Sequence, residues 1–358
     1  MNHIIGVITV IICLLSVIGI HEYGHALAAR FFDIQIQRIS LGFGKTLFSW
    51  ALKSGCKLDI NLWLVGGRVH LLNSRIDNVS PQHYSLCFDK KPIWIRTIVL
   101  LSGSLANLLA AILALLFMLI LGFKQLPPII GTITTPSHAA TAGLLPGERI
   151  TQVAGHDTYF WRDVGMQFIM HVGQKHVPIT VCASKNHCRE TILDLHIWEN
   201  KHNDLSIFSA IGITPDTSPQ HIEIIPGLPF WKALSSAGSQ LMGLVFFFII
   251  MIKQIFTANI PFAALLGPFK LFETIIDSFF QGLAIFLYFM ANFNLAMALI
   301  NVLPIPGLDG GAIIYGLIEK ARGKPMSIAL EILIYRLFFI LFSLVLFQLI
   351  MNDLRYYV

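Results

Sequence analysis

The sequence predicts a polytopic α-helical membrane protein with about four transmembrane helices, a β-hairpin region at one membrane face, and one soluble domain inserted between two membrane halves. Three observations carry this. Of the 358 residues, 55% are apolar and only 13% charged, and the mean hydropathy of +0.70 is far from that of a soluble globular chain. Apolar stretches of about twenty residues recur, long enough to cross a ~30 Å hydrocarbon layer as helices. Between two of them, from Phe123 to about Trp231, scattered charges and histidines return, as in a soluble insertion. The formal net charge of +5 is small and suggests no nucleic-acid partner; its distribution along the chain says more.

The first apolar stretch, Ile4 to Ile20, has no charged residue and runs directly into His21-Glu22-Tyr23-Gly24-His25. Ala26-Leu27-Ala28 could be taken for a signal-peptide cleavage site, but Met1 to His3 holds no Lys or Arg. The stretch therefore reads as a retained span. Residues four apart share a helix face, so His21 and His25 can turn two imidazole nitrogens toward one tetrahedral cation, with Glu22 in reach of its water. Ionisable groups at the end of a span are costly unless they serve a function. The plainer alternative is a pair of histidines at the water boundary. Hydrolytic sites of this kind use a third protein ligand. The candidate is Asp309 in Asn301-Val302-Leu303-Pro304-Ile305-Pro306-Gly307-Leu308-Asp309-Gly310-Gly311, after another long apolar run. Its plainer role would be to cap a turn, as Asp-Gly often does.

Together, HEYGH and NVLPIPGLDGG resemble the paired signatures of the site-2 protease family of intramembrane zinc metalloproteases. Their order and spacing are most similar to its bacterial RseP branch. The resemblance implies Zn2+ as cofactor, His21, His25 and Asp309 as its ligands, Glu22 as general base, and Asn301 as a residue that helps hold substrate. It also implies a substrate: a single-span membrane protein already trimmed by another protease, such as an anti-sigma factor, or a remnant signal peptide. Two readings from other classes stay open. One is a non-catalytic membrane scaffold, against which the intact Glu22 speaks; the other is a metal transporter, against which the lack of an internal repeat speaks.

After the first span, basic residues cluster from Arg30 to Arg96, outnumbering Asp33, Asp59, Asp77 and Asp89. The positive-inside rule makes this stretch cytoplasmic, with the N-terminus outside and the metal site toward the cytoplasmic side. Within it, Ile39 to Gly44 and Leu58 to Val69 read as short strands punctuated by glycine, an amphipathic hairpin at the membrane surface. In site-2 proteases a glycine-containing loop and an edge strand receive the substrate as an added strand. The resemblance thus implies that Gly42, Gly44, Leu64, Gly66 and Gly67 bind substrate, whose unwound backbone finds no hydrogen-bond partner in lipid. Arg68 and His70 stand where the family usually has Tyr and Lys.

Thr97 to Leu121 predicts a second uncharged span, entered after Arg96. Its Ser102-Gly103-Ser104-Leu105-Ala106-Asn107 resembles the family's Gly-Pro-x-x-Asn stretch, with Ser104 in the proline's place. Small residues there predict close helix packing, with Asn107 able to reach across to the motif helices. The insertion that follows is external, because two spans precede it. Pro136 to Gly155 resembles a PDZ domain of the bacterial protease type, which implies a peptide or protein ligand. The segment has room for about one such domain, where the RseP branch commonly carries two. Cys182 and Cys188 flank the turn-like Ala183-Ser184-Lys185-Asn186-His187. An oxidising compartment allows a hairpin-bridging disulfide; a free pair, or zinc bound through Cys182, His187 and Cys188, are the alternatives.

Ala233 to Ile252 has no charge and is long enough to span. Asp309 must share a depth with His21 and His25, so an odd number of crossings separates it from the external domain. If Phe279 to Leu303 crosses once, Ala233 to Ile252 lies on or dips into the outer leaflet, giving four spans. A double crossing with Ile260 to Ile276 would give six. Lys320, Arg322 and Lys324 are again cytoplasmic, and Leu337 to Met351 forms the last span, with Arg336 snorkelling inward and the C-terminus outside. The expected organisation is a membrane half at 1–122, the inserted domain at 123–231 and a second membrane half at 232–358, within the lipid bilayer of a bacterial inner membrane.

Overall fold

The computed structural model describes residues 2–52, 55–184, 187–196 and 206–357. The chain forms two compact units, one of Met1–Met118 with Phe272–Val345, the other of Leu119–Leu271 with Leu346–Val358. The first helix, α1 (Asn2–Phe31), takes in the apolar run and the His21 to His25 motif without a break. It stops before Asp33, whose φ of 52° is left-handed, a conformation that Asp tolerates better than most residues. Two strands follow, β1 (Ile36–Ala51) and β2 (Lys57–Leu71), both longer than the sequence suggests. Their register shifts along the pair. Arg38 to Leu41 lie against both His70 to Gly67 and Lys57 to Ile60, whereas Thr46 to Ala51 lie against Asn61 to Lys57. Gly42 and Gly44, with φ of 89° and 86°, let β1 turn between these two stretches.

The next helix, α2 (Ile93–Leu121), packs on α1 through small residues. A Cβ on Gly24 would collide with the Ser102 carbonyl and lie 2.8 Å from the Ala106 Cβ. Such backbone approach supplies the van der Waals contact that holds helices together in lipid, where the hydrophobic effect gives no drive. Asn107, wholly buried, reaches across and donates to Val17 O on α1 at 3.5 Å.

The second unit opens with a small α/β body. Its elements are β3 (Phe123–Gln125), β4 (Ile130–Ile133), α3 (His138–Thr141), β5 (Arg149–Val153), β6 (His156–Asp157), α4 (Trp161–Met170), β7 (Val177–Ser184), β8 (His187–Leu193), α5 (Ile207–Ile211), β9 (Ile213–Pro215) and β10 (Glu223–Ile225). An antiparallel sheet runs in the order β6-β5-β7-β8, while β4 pairs with β9 and β3 with β10. Val177, Ile179 and Val181 alternate into the core along β7, as a half-buried strand requires. Trp161, Val164 and Phe168 on one face of α4 bury against the same core. The chain leaves this body where it entered, with Leu228 N–H donating to Leu119 O at 2.8 Å. Cys182 and Cys188 sit opposite one another in register and are disulfide-bonded. Lys185 and Asn186, in the turn expected between them, lie outside the described residues.

Ala233 to Ile252 falls within one continuous helix, α6 (Phe230–Phe256), and Gln254 near its end donates to Met170 O on α4 at 3.0 Å. Ile260 to Ile276 does not form a single helix, because Pro261 and Pro268 interrupt it. Only α7 (Pro268–Phe280) forms there; its 13 residues reach about 20 Å, short of a bilayer core. The six-crossing alternative therefore has no second helix in this stretch. Gly282, at φ 120°, separates α7 from α8 (Leu283–Val302), so the span expected from Phe279 begins after a break. Pro304 and Pro306 follow α8, and α9 (Asp309–Arg322) starts at the aspartate itself. The last helix, α10 (Ile328–Tyr357), carries Asp353, only 1% exposed, whose carboxylate accepts from Gly267 N–H at 2.6 Å and Phe269 N–H at 2.8 Å.

Among the described residues five helices are long and apolar enough to cross a membrane: α1, α2, α6, α8 and α10. The chain is a multi-pass membrane protein. The helix in excess of the expected four is α6.

Candidate metal centre

His21 and His25 lie one turn apart on α1, their rings 4.7 Å between centroids and nearly perpendicular at 88°. Their Nε2 atoms are 3.2 Å apart. The Asp309 carboxylate enters from the first residue of α9, with Oδ2 3.1 Å from His21 Nε2 and 3.2 Å from His25 Nε2. Both imidazoles are buried, His21 at 4% and His25 at 7% exposed. Four ligands placed tetrahedrally about 2.0–2.1 Å from a zinc ion stand roughly 3.3–3.4 Å from one another, so these donors have nearly the spacing such an ion requires. Among the described residues no other three His, Cys, Asp or Glu side chains converge in this way.

Proton accounting points the same way. His25 Nδ1 lies 2.7 Å from Val99 O on α2, and a carbonyl can only accept, so Nδ1 carries the proton and Nε2 keeps its lone pair. That lone pair faces Asp309 Oδ2 and His21 Nε2. Giving His21 Nε2 the proton would leave its Nδ1, buried and without a partner, as an unmet acceptor. With both Nε2 atoms unprotonated, two lone pairs and a carboxylate oxygen face one another; a cation held by the three atoms relieves that repulsion, and two imidazoles with one carboxylate suit zinc.

Glu22, 3% exposed, lies beside this cluster and against β2. A Cβ on Gly67 would come 2.6 Å from Glu22 Oε1 and 2.8 Å from Ile18 Cγ2. Gly67 is thus brought to the centre. Gly66 packs on the Phe43 ring, where a Cβ would lie 2.9 Å from Cε2, and a Cβ on Gly42 would lie 3.2 Å from Leu64 Cδ2. Gly44 faces Trp63 in the same bend of β1. Asn301, in the last turn of α8, is buried and donates back to Met297 O at 2.9 Å, so its amide is engaged within its own helix. Burial, with the charges of Arg68 and Arg38 nearby, holds the His70 imidazole below its usual range. Cys182 and Cys188 belong to the second unit.

Residues 9–345 match peptidase family M50. The chain belongs to peptidase family M50. Regulator of sigma-E protease RseP of Escherichia coli (strain K12) is 24% identical over 436 aligned positions, which cover 96% of this chain and 97% of the relative. Protease RseP of Yersinia pestis is 24% identical over 437 positions, covering 96% and 97%. Regulator of sigma E protease of Haemophilus influenzae is 25% identical over 432 positions, covering 96% and 98%. Each alignment runs over more positions than the 358 residues of this chain, so these relatives carry stretches that it lacks. As an M50 peptidase, the chain is an intramembrane zinc metalloprotease, and the scaffold and transporter readings fall away.

One residue of this M50 peptidase escapes sequence reasoning, which assigns the small residues of α2 to packing alone. Gly103 borders the metal centre: a Cβ there would collide with His25 Nε2 and lie 2.8 Å from His21 Cε1. It shares a face of α2 with Val99, which orients His25, and with Arg96 and Asn107, at spacings of three, four and four residues. That spacing is a signal only once this face is known to meet the motif. Gly103→Val should push the rings apart and lower zinc occupancy at least tenfold at limiting metal, an effect of the size seen when a ligand's support is removed. Metal analysis of the purified variant checks this, and wild-type occupancy would mean that the rings have room to give.

Proposed function

We propose that His21, His25 and Asp309 hold the zinc and that Glu22 is the general base of peptide hydrolysis. The observation that carries this is the convergence of three donor atoms from α1 and α9, 3.1 to 3.2 Å apart, beside a second carboxylate. A zinc held by these three residues would polarise the scissile carbonyl and lower the pKa of water. Glu22, buried against Gly67, takes a proton from the attacking water and passes it to the leaving amine. Val99 O keeps His25 in the tautomer whose Nε2 can donate its lone pair. The buried setting strengthens each of these electrostatic contacts by excluding bulk water.

The substrate is a membrane-embedded peptide that unwinds and adds as a strand beside Leu64, Gly66 and Gly67. Gly42 and Gly44 shape the neighbouring bend, and Asn301 helps hold the chain. The position of Gly67 against Glu22 supports this, since a strand added there would pass the base. Names such as regulator of sigma-E protease among the relatives favour a trimmed single-span protein of the anti-sigma-factor type, with remnant signal peptides as a second class. A purified single-span test substrate lacking its external domain should be cut within its span at least tenfold faster than the untrimmed form. Equal rates would remove the requirement for trimming.

We also read the chain as three parts, 1–122, 123–231 and 232–358, in a bacterial inner membrane. The middle part is one PDZ-like domain outside the cytoplasm with a peptide ligand, and the metal centre faces the cytoplasmic side. The excess of basic residues between α1 and α2 supports this orientation. Four helices then cross and α6 lies along the outer surface, for which Lys232, Ser236, Ser239 and Gln240 supply a polar face. Single cysteines placed at Ser80 and Gln220 should react with an impermeant thiol reagent only from the cytoplasmic and only from the external side, respectively. The reverse pattern would overturn the orientation.

A further inference from the structure

We propose that the ion pair between Arg96 and Glu319 is a positioning device that sets the aim of the Asp309 carboxylate at the metal. This rests on Asp309 being a zinc ligand. Arg96 Nη1 and Nη2 both donate to Glu319 Oε2 at 3.2 Å, with the two side chains 14% and 28% exposed. The guanidinium also lies over the Phe88 ring, 5.4 Å from its centroid, which limits its freedom to follow a moving partner. Glu319 is on α9, the helix that Asp309 begins; Arg96 is on α2, the helix whose Val99 O orients His25 and whose Gly103 bounds both imidazoles. The pair therefore ties the helix of the third donor to the helix that fixes the other two.

The geometry gives the tie leverage. At the near end of α9, Gly310 and Gly311 lie close against the carbonyls of Val302 and Ile305, so the first turn is seated there while its direction depends on the rest of the helix. Midway, a Cβ on Gly316 would lie 2.5 Å from Ile93 Cδ1, so α9 touches α2 there with no room to spare. If α9 rocks on the Gly316 contact once Glu319 is released, Asp309 lies seven residues from that fulcrum, about 10 Å at the rise of an α-helix, so a tilt of about 5° moves the carboxylate by roughly 1 Å. A shift of that size breaks a ligand distance that must hold within about 0.2 Å. The long, rigid arm is why an ion pair remote from the metal can control it.

The test uses the full-length protein in detergent, stripped of metal, titrated with zinc, and loaded separately with cobalt(II), whose visible absorption reports coordination geometry. Glu319→Gln keeps the shape and removes the charge. It should weaken zinc binding about tenfold and alter the cobalt spectrum, and Arg96→Gln should do the same. The charge-reversed double variant, Arg96→Glu with Glu319→Arg, should recover both signals. Wild-type affinity and spectrum in the two single variants overturn the proposal, as does a double variant that regains thermal stability but not the spectrum. Should Glu319→Gln fail to fold, Arg96→Lys, which keeps the charge and loses the fork, is judged by the same two signals. Asp309→Ala is measured alongside. If it keeps its metal, the ligand assignment has failed; if it loses metal while Glu319→Gln does not, only the positioning role has failed.

Discussion

Glu22→Gln should purify with a full complement of zinc and yet cleave substrate at least a hundredfold more slowly. General bases typically contribute about 10²–10⁴-fold, and glutamine cannot take a proton from water at neutral pH. The expectation that metal survives is equally specific. Glu22 is not among the three converging donors, and glutamine is nearly isosteric with it. The absence of a Cβ on Gly67 leaves the amide the same space as the carboxylate. Burying a neutral amide is also less costly than burying a carboxylate, so folding should not suffer. Metal content and turnover measured on one preparation give the answer. Wild-type-like cleavage would remove Glu22 from the reaction.

Asp309→Ala should lose zinc and cleavage together, because two histidines on one helix make a weak site and the third donor comes from a different element. Zinc affinity should fall by more than about a hundredfold, beyond what removing an outer support costs. Asp309→Asn separates the two roles that Asp-Gly leaves open in the sequence. A turn cap or first-turn residue can be Asn, which would serve there almost as well as Asp. A ligand cannot, since a neutral amide lacks the charge that balances the cation. The structure gives reason to expect damage, since the carboxylate points at both imidazoles and its side chain is only 19% exposed. Normal zinc content and turnover in Asp309→Asn would make the residue structural and send the search for a third ligand elsewhere.

The parts of the fold set by local composition were legible in the sequence. The apolar runs became α1, α2 and α8, and the proline pair after α8 marks the stop before Asp309. What the sequence could not carry was contact between distant segments. The length of β1 and β2 and their doubled register depend on the bend at Gly42 and Gly44, whose left-handed φ is a property of the folded strand pair. The break at Gly282, which shortens the expected third span, is hidden in a stretch that is apolar on both sides. Ile260 to Ile276 looked long enough to cross because hydropathy ignores where prolines cut a helix. At the candidate site, His21, His25 and Asp309 could be picked out from residue type and placement, but the contribution of α2 could not. Glycine at 103 and arginine at 96 look like packing and flanking charge until the helix face they share is seen to meet the imidazoles.

The hydrogen bond from His25 to Val99 O makes the centre tolerant of change at position 99. The acceptor is a main-chain atom, so no substitution at position 99 deletes it; any residue that keeps α2 helical leaves the carbonyl where it is. Ser102 Oγ shares this oxygen at 2.6 Å, so the carbonyl serves two donors from side chains. The orientation of the histidine is thereby uncoupled from the identity of the side chain at 99. The side chain at 99 answers only to its packing against Ala29 and Ile34, whereas at 103 any side chain meets the rings.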